Sequence, residues 1–98
     1  MPSIPVGFHP EAIAEAAAAV EWYQERSDAT AAALLAELDR AIESIAEAPD
    51  RWPQYLHGTR RFLLRRFPFS VVYRRVADRV QVVAVAHGKR RPGYWKRR

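Results

Sequence analysis

The chain has 98 residues, 49% of them hydrophobic and 28% charged, which makes one small globular domain and leaves no room for a second core. It has no cysteine, which excludes disulfides, thiolate metal sites and cysteine nucleophiles and suits a reducing compartment. The net charge of +5 hides an asymmetry: through Asp50 two basic residues face ten acidic ones, a balance of −8, whereas from Arg51 onward fourteen face Asp78 alone, a balance of +13.

Met1-Pro2-Ser3-Ile4-Pro5 lacks the basic and apolar regions of a signal peptide, and no run approaches the ~20 apolar residues of a membrane span. A cytoplasmic protein with no membrane partner is therefore expected. Ile4 to Phe8 reads as a short strand, confined by Pro5 to an edge or a strand start. Pro10 and Glu11 open a helix to about Arg26, with Ile13, Ala16, Ala17 and Val20 as its apolar face. Ser27-Asp28 stops it and caps a second helix. There Leu34, Leu35, Leu38, Ala41, Ile42 and Ile45 form the stripe, Asp39 and Glu43 are solvated, and Pro49 is the stop.

After Asp50 the period changes from helical to alternating. Arg51 to Gly58 is a connection, and three β-like runs follow: Arg60 to Phe67, Phe69 to Val76 and Arg79 to His87. Pro68 marks the first turn and Ala77-Asp78 the second. The last run is largely apolar on both faces, as in a central strand with one face under the helices and the other partly covered. The expected architecture is α+β, with an N-terminal strand and a helical hairpin packed on an antiparallel sheet that a three-stranded C-terminal meander completes.

His9, His57 and His87 lie far apart and share no ligand spacing, and the four glycines form no phosphate-cradling loop, so neither metal nor cofactor is expected. The carboxylate pairs Glu11/Glu15 and Glu21/Glu25 read as solvated helix surface. That leaves the arginines, whose forked donors match phosphate or carboxylate oxygens. Arg60, Arg61, Arg65, Arg66, Arg74 and Arg91, with Trp95, are the candidate contacts to an anionic partner, either nucleic acid or an acidic protein segment. The alternative is that the acidic and basic halves neutralise each other on docking. Were the chain to cut RNA, arginine could not take the 2′-hydroxyl proton, and His87 is the best-placed base. Tyr94 is the group to protonate the leaving oxygen or to stack on a base. The plainer readings are a strand-end His87 bound to backbone, a solvated arginine face, and Tyr94 and Trp95 folded onto the core.

Trp22-Tyr23, the run RRFLLRRFPFSVVY from Arg60 to Tyr73 and VAVAHGKRRPGYW from Val83 to Trp95 together resemble the RelE/ParE toxin family of type II toxin–antitoxin modules. The resemblance spans nearly the whole chain, including the order of elements. It implies a toxin held inactive by a cognate antitoxin that wraps a partly disordered C-terminal segment around it. Operator DNA is then reached only through the antitoxin.

The family divides by target. Members like RelE cleave mRNA on the ribosome, and the resemblance places Arg90 and Tyr94 where those members keep a catalytic arginine and tyrosine, although the spacing here is shorter. Ser70 stands where ribonuclease members often carry another arginine, and serine supplies no fixed positive charge to a scissile phosphate. Phe67-Pro68-Phe69 and the strand end at His87 look more like the ParE branch, which inhibits DNA gyrase. The expected function is thus a ParE-like toxin. The alternatives are a ribosome-dependent endoribonuclease using His87, Arg90 and Tyr94, and a nonspecific nucleic-acid-binding domain.

Overall fold

A computed structural model describes residues 3–98; Met1 and Pro2 of the opening segment lie outside the described residues. Strand β1 is Val6–Phe8, helix α1 is Pro10–Gln24 and helix α2 is Asp28–Glu47. A 3-10 turn at Leu56–Gly58 leads into strands β2 (Arg60–Leu63), β3 (Phe69–Val76) and β4 (Arg79–His87). The sheet order is β1-β4-β3-β2. The meander β2–β3–β4 is antiparallel, as expected. Strand β1, however, joins β4 in parallel, so the sheet is mixed. Parallel neighbours need a crossover of a dozen or more residues, and the helical hairpin is part of the long connection that supplies it.

Local chemistry sets the helix boundaries. His9 caps α1 by accepting the Glu11 N–H on Nδ1 at 3.1 Å, and Pro10 fills the first turn. The Ser27 Oγ accepts from the Thr30 N–H at 3.2 Å and starts α2. The buried side of α1 is rotated from the expected one: Ala12 and Ala19 face the core while Ile13 is 56% exposed. Alanines let the helix axis approach the sheet, and the bulkier Ile13 is left on the outside. On α2 the stripe Leu34, Leu38, Ala41 and Ile45 is buried as expected, but Leu35 is exposed and Glu37 is buried. Glu37 also explains why β2 ends at Leu63 instead of running to Phe67. Its Oε1 accepts the N–H groups of Arg65 and Arg66 at 2.6 and 3.1 Å, which draws the backbone out of the ladder toward α2.

Two cores flank the sheet. Leu34, Leu38, Ala41 and Ile45 pack with Val71, Tyr73, Val80, Val82 and Val85 on the helix side. Val72, Val83, Ala84 and Ala86 form the opposite core beneath Trp95, with Tyr55 and Tyr94 at its edge. A bulge decides which residues of β4 enter each core: Val72 pairs with Ala84 but Tyr73 pairs with Val82, leaving Val83 without a partner across the ladder. The slip turns Val83 and Ala84 to the same face and returns Val85 to the helix side. The buried Tyr73 hydroxyl donates to the Pro49 carbonyl at 2.7 Å, tying the end of the helical hairpin to the sheet, and burial pushes its phenol up to about 12.

Leu34 is fully buried, so Leu34→Ala is expected to lower stability by roughly 2–5 kcal/mol in urea denaturation. Ala77, in the β3–β4 turn, has φ of 57°, a left-handed conformation that disfavours any side chain. Ala77→Gly is expected to raise stability in urea denaturation by roughly 0.5–1 kcal/mol once the greater freedom of unfolded glycine is subtracted.

Candidate functional site

Beyond β4 the chain folds back over the sheet face that the helices leave open. The Gly88 N–H donates to the Pro68 carbonyl at 2.8 Å, and short turns carry the segment to Arg98. Gly93 has φ of 81°, and a Cβ there would lie 2.8 Å from His57 Nε2, so this turn requires glycine. Trp95 is 3% exposed and lies against the Tyr55 ring at 5.4 Å between centroids. The side chain expected to contact a partner is thus part of the core. It shapes the pocket from beneath.

Glu15 of α1 anchors this tail. Its Oε2 accepts the Tyr94 hydroxyl at 2.7 Å, and Arg98 forks onto both oxygens at 2.8 and 3.0 Å. The Glu15 Oε1 also accepts the Val85 N–H at 3.0 Å, and Arg98 donates to the Val83 carbonyl at 3.0 Å. Burial alone raises the carboxyl's pKa, but Arg98, Tyr94 and the Val85 amide outweigh it and the net shift is downward. The Tyr94 phenol moves the other way: burial and the Glu15 carboxylate both hold its proton on. Arg74 completes the lacing, donating to the Arg98 carbonyl at 2.5 Å and to Gln81 at 3.0 Å.

Between tail and sheet lies a cavity of about 120 Å³ lined by Arg61, Ser70, Arg90, Arg91, Tyr94 and Trp95, with His87 at its rim. Aromatic rings aim the guanidinium groups. Arg61 lies 4.0 Å over Tyr55 and Arg90 lies 3.8 Å over Tyr94. The fold therefore gathers Arg61, Arg90, Arg91, Tyr94 and Trp95 from β2 and the tail. It does not fully gather His87. Strand alternation turns that ring to the helix side, where it meets Phe69 edge-on at 5.1 Å and accepts the Lys89 N–H on Nδ1 at 3.0 Å. A neutral His87 then carries its proton on Nε2, which presents a donor and no lone pair.

The remaining arginines lie elsewhere. Arg60 donates to the Trp52 carbonyl at 2.7 Å, and Arg65 and Arg66 line a groove along α2 with Glu37. Docking of the acidic helices neutralises little of the basic half: among the described residues only Arg75, Arg90 and Arg98 reach a carboxylate. No group of His, Asp and Glu among the described residues has the arrangement of a metal site. No helix among them is long and apolar enough to cross a membrane. Glu15 and Arg98 are what a reading of the sequence misses. The available signal is that Glu15 lies three residues after Ala12 and four before Ala19, on the side of α1 that is buried.

A family model described as ParE toxin of type II toxin-antitoxin system, parDE, matches residues 6–92. Among solved structures, a chain of the "Chromosomal ParDE TA system from P. aeruginosa" has the same fold, with a TM-score of 0.76, 17% identity and coverage of 87% of this chain and 96% of that one. No protein of curated function matches the chain significantly.

Because Glu15 ionises more readily in the folded protein than in the unfolded chain, its stabilisation is present above the unfolded carboxyl's ordinary value of 4.5 and fades as pH falls through the lower folded value. Glu15→Gln is expected to lower stability at pH 7 by roughly 1.5–3 kcal/mol and to flatten the acid limb of stability against pH. Chemical denaturation from pH 3 to pH 7 measures both.

Proposed function

The chain belongs to the ParE toxin family of type II toxin–antitoxin systems, and from that premise we propose that it acts by binding and inhibiting DNA gyrase, not by cutting RNA. The observation that carries this reading is the state of the tail cavity. Its cations are presented while its proton-transfer groups are engaged. Arg61 and Arg91 make no ion pair among the described residues, and Arg90 reaches Glu15 only at 4.0 Å. By contrast, the Tyr94 proton is committed to Glu15 and is hard to remove, and the His87 Nδ1 lone pair is occupied. Ser70 adds no positive charge to the cavity. A general acid and base for 2′-hydroxyl attack need free, mobile protons. A surface that recognises carboxylates or phosphates needs fixed, forked donors on a rigid support, and this cavity is built in that way.

The partner that silences the toxin is a cognate antitoxin. Its inhibitory segment is acidic and partly disordered until it binds, matching a basic half with a balance of +13. Any approach to operator DNA runs through the antitoxin, and both toxin and target are cytoplasmic.

Expression without antitoxin, with thymidine and methionine incorporation followed together, tests the target. Thymidine incorporation is expected to fall first. An earlier fall in methionine incorporation would transfer the site to ribonuclease chemistry with Arg90 and Tyr94 at its centre. The double substitution Arg61→Ala, Arg91→Ala is expected to relieve growth inhibition and to weaken gyrase binding about tenfold or more with folding intact. Binding to DNA alone that collapses with salt would instead mark a nonspecific nucleic-acid domain.

A further inference from the structure

Glu37 holds the loop after β2 with one oxygen and leaves the other unused. Its Oε1 accepts both the Arg65 and the Arg66 N–H, whereas Oε2 is buried and accepts no hydrogen bond among the described residues. Glutamine would serve the loop equally well through its carbonyl oxygen, without a buried charge. A buried acceptor with nothing to accept costs free energy, so the second oxygen points to a ligand that brings a donor. Glu37 lines a groove of about 670 Å³ between α2 and β2, a size within the range of small-ligand sites. Trp52, Phe62 and Leu63 form its apolar wall, with the Trp52 and Phe62 rings edge to face at 4.5 Å. Arg40, Arg65 and Arg66 line the same groove, and among the described residues none of them reaches a carboxylate. The groove shares no lining residue with the tail cavity, because Arg61 and Phe62 alternate to opposite faces of β2.

A ligand for this groove meets three demands at once. The guanidinium groups repel a cation and favour an anion. A bare phosphate or carboxylate brings no donor to Oε2, and the apolar wall adds nothing to its binding. A nucleotide brings N–H donors, a flat ring and a phosphate together. Among the bases only guanine sets two N–H donors side by side on its pairing edge; adenine and cytosine set an acceptor beside the donor and turn its lone pair toward the carboxylate. We infer that this groove binds a guanine nucleotide, with the base edge on Glu37, the ring against Trp52 and Phe62, and the phosphate on Arg40, Arg65 and Arg66. All three arginines are exposed, so a phosphate that engages them draws their side chains aside from the carboxylate. The nucleotide is either free or one unit of a single strand, since both present the same groups. The assignment is independent of the gyrase reading.

The test titrates the full chain with GMP, AMP, CMP and inorganic phosphate, reading affinity by calorimetry and the place of contact by amide chemical shifts. GMP is expected to bind about tenfold or more tightly than AMP, CMP or phosphate and to shift the Arg65 and Arg66 amides. Glu37→Gln keeps a carbonyl oxygen for the loop and sets an N–H2 group where the free oxygen stood. It is expected to erase the preference for GMP while the Arg65 and Arg66 amides stay protected from exchange. Arg40→Ala, at an exposed position, is expected to weaken all three nucleotides about fivefold and to leave the preference intact. A short single strand with one central guanine separates the two sources: binding tighter than GMP assigns the site to a strand, and equal or weaker binding to the free nucleotide.

Equal affinity for GMP, AMP and CMP overturns the assignment, and the unaltered chain suffices for that outcome. Phosphate bound as tightly as GMP reduces the site to an anion contact and also overturns it. Shifts confined to Arg61 and Arg91 place the nucleotide in the tail cavity instead, and a preference for GMP retained in Glu37→Gln removes the carboxylate from recognition; either result overturns the assignment. So does the absence of binding by both GMP and the guanine-bearing strand.

Discussion

A sheet edge that runs past its neighbour sets the constraint on which the rest of this small fold depends. Strand β4 extends to His87, but β1 gives out opposite Val82. Backbone groups left on a half-buried edge cost free energy unless they find partners. Here a carboxylate and a guanidinium take the place of a strand, with Glu15 accepting from Val85 and Arg98 donating to Val83. One ion pair thereby joins α1, β4 and the tail. It is tolerable at low exposure because nearly every donor and acceptor in it is matched, the condition under which a buried pair holds. Tyr94 adds a hydroxyl to the same carboxylate, so the aromatic that lines the cavity is positioned by the group that completes the sheet.

The division of labour between the two sheet faces follows from the bulge at Val83. Regular alternation would put Val83 and Val85 on one face and Ala84 and Ala86 on the other. The slip instead keeps Val80, Val82 and Val85 for the helices and sends Val83, Ala84 and Ala86 to Trp95. A tail bearing six Lys or Arg residues between Gly88 and Arg98 is thereby held to the protein by its aromatics while most of its cations remain outside. Long basic side chains on a rigid backbone lose less freedom on binding than they would on a loose tail. Tyr94 in turn is fixed by the Glu15 contact that also restrains its proton.

Much of the architecture is legible in the sequence because it depends on local period. The stripe of α2, the bounds of β3 and β4 and the Ser27 cap all follow from spacing and capping chemistry. The face of α1 is not legible in the same way. In a helix with six alanines, the usual signal from bulky apolar residues points to Ile13, while close approach of the helix axis favours Ala12 and Ala19. The early end of β2 has a comparable origin, since one carboxylate on α2, distant in sequence, holds two amides of the loop. In the candidate site, the gathering of arginines and tyrosine was visible as composition, but the Glu15 anchor was not. A glutamate at helical spacing from another glutamate has the pattern of solvated surface, and only the tertiary path of the tail reveals its partner.

The charge distribution connects stability to partnership. The basic half carries a balance of +13, and its paired groups among the described residues are few, so many like charges go unpaired in a domain with no disulfide to brace it. Net charge far from zero weakens a compact state by self-repulsion. An acidic partner that binds only the folded toxin removes that repulsion and shifts the folding equilibrium by mass action as well. The free chain is therefore expected to be less stable than the same chain bound to an acidic partner.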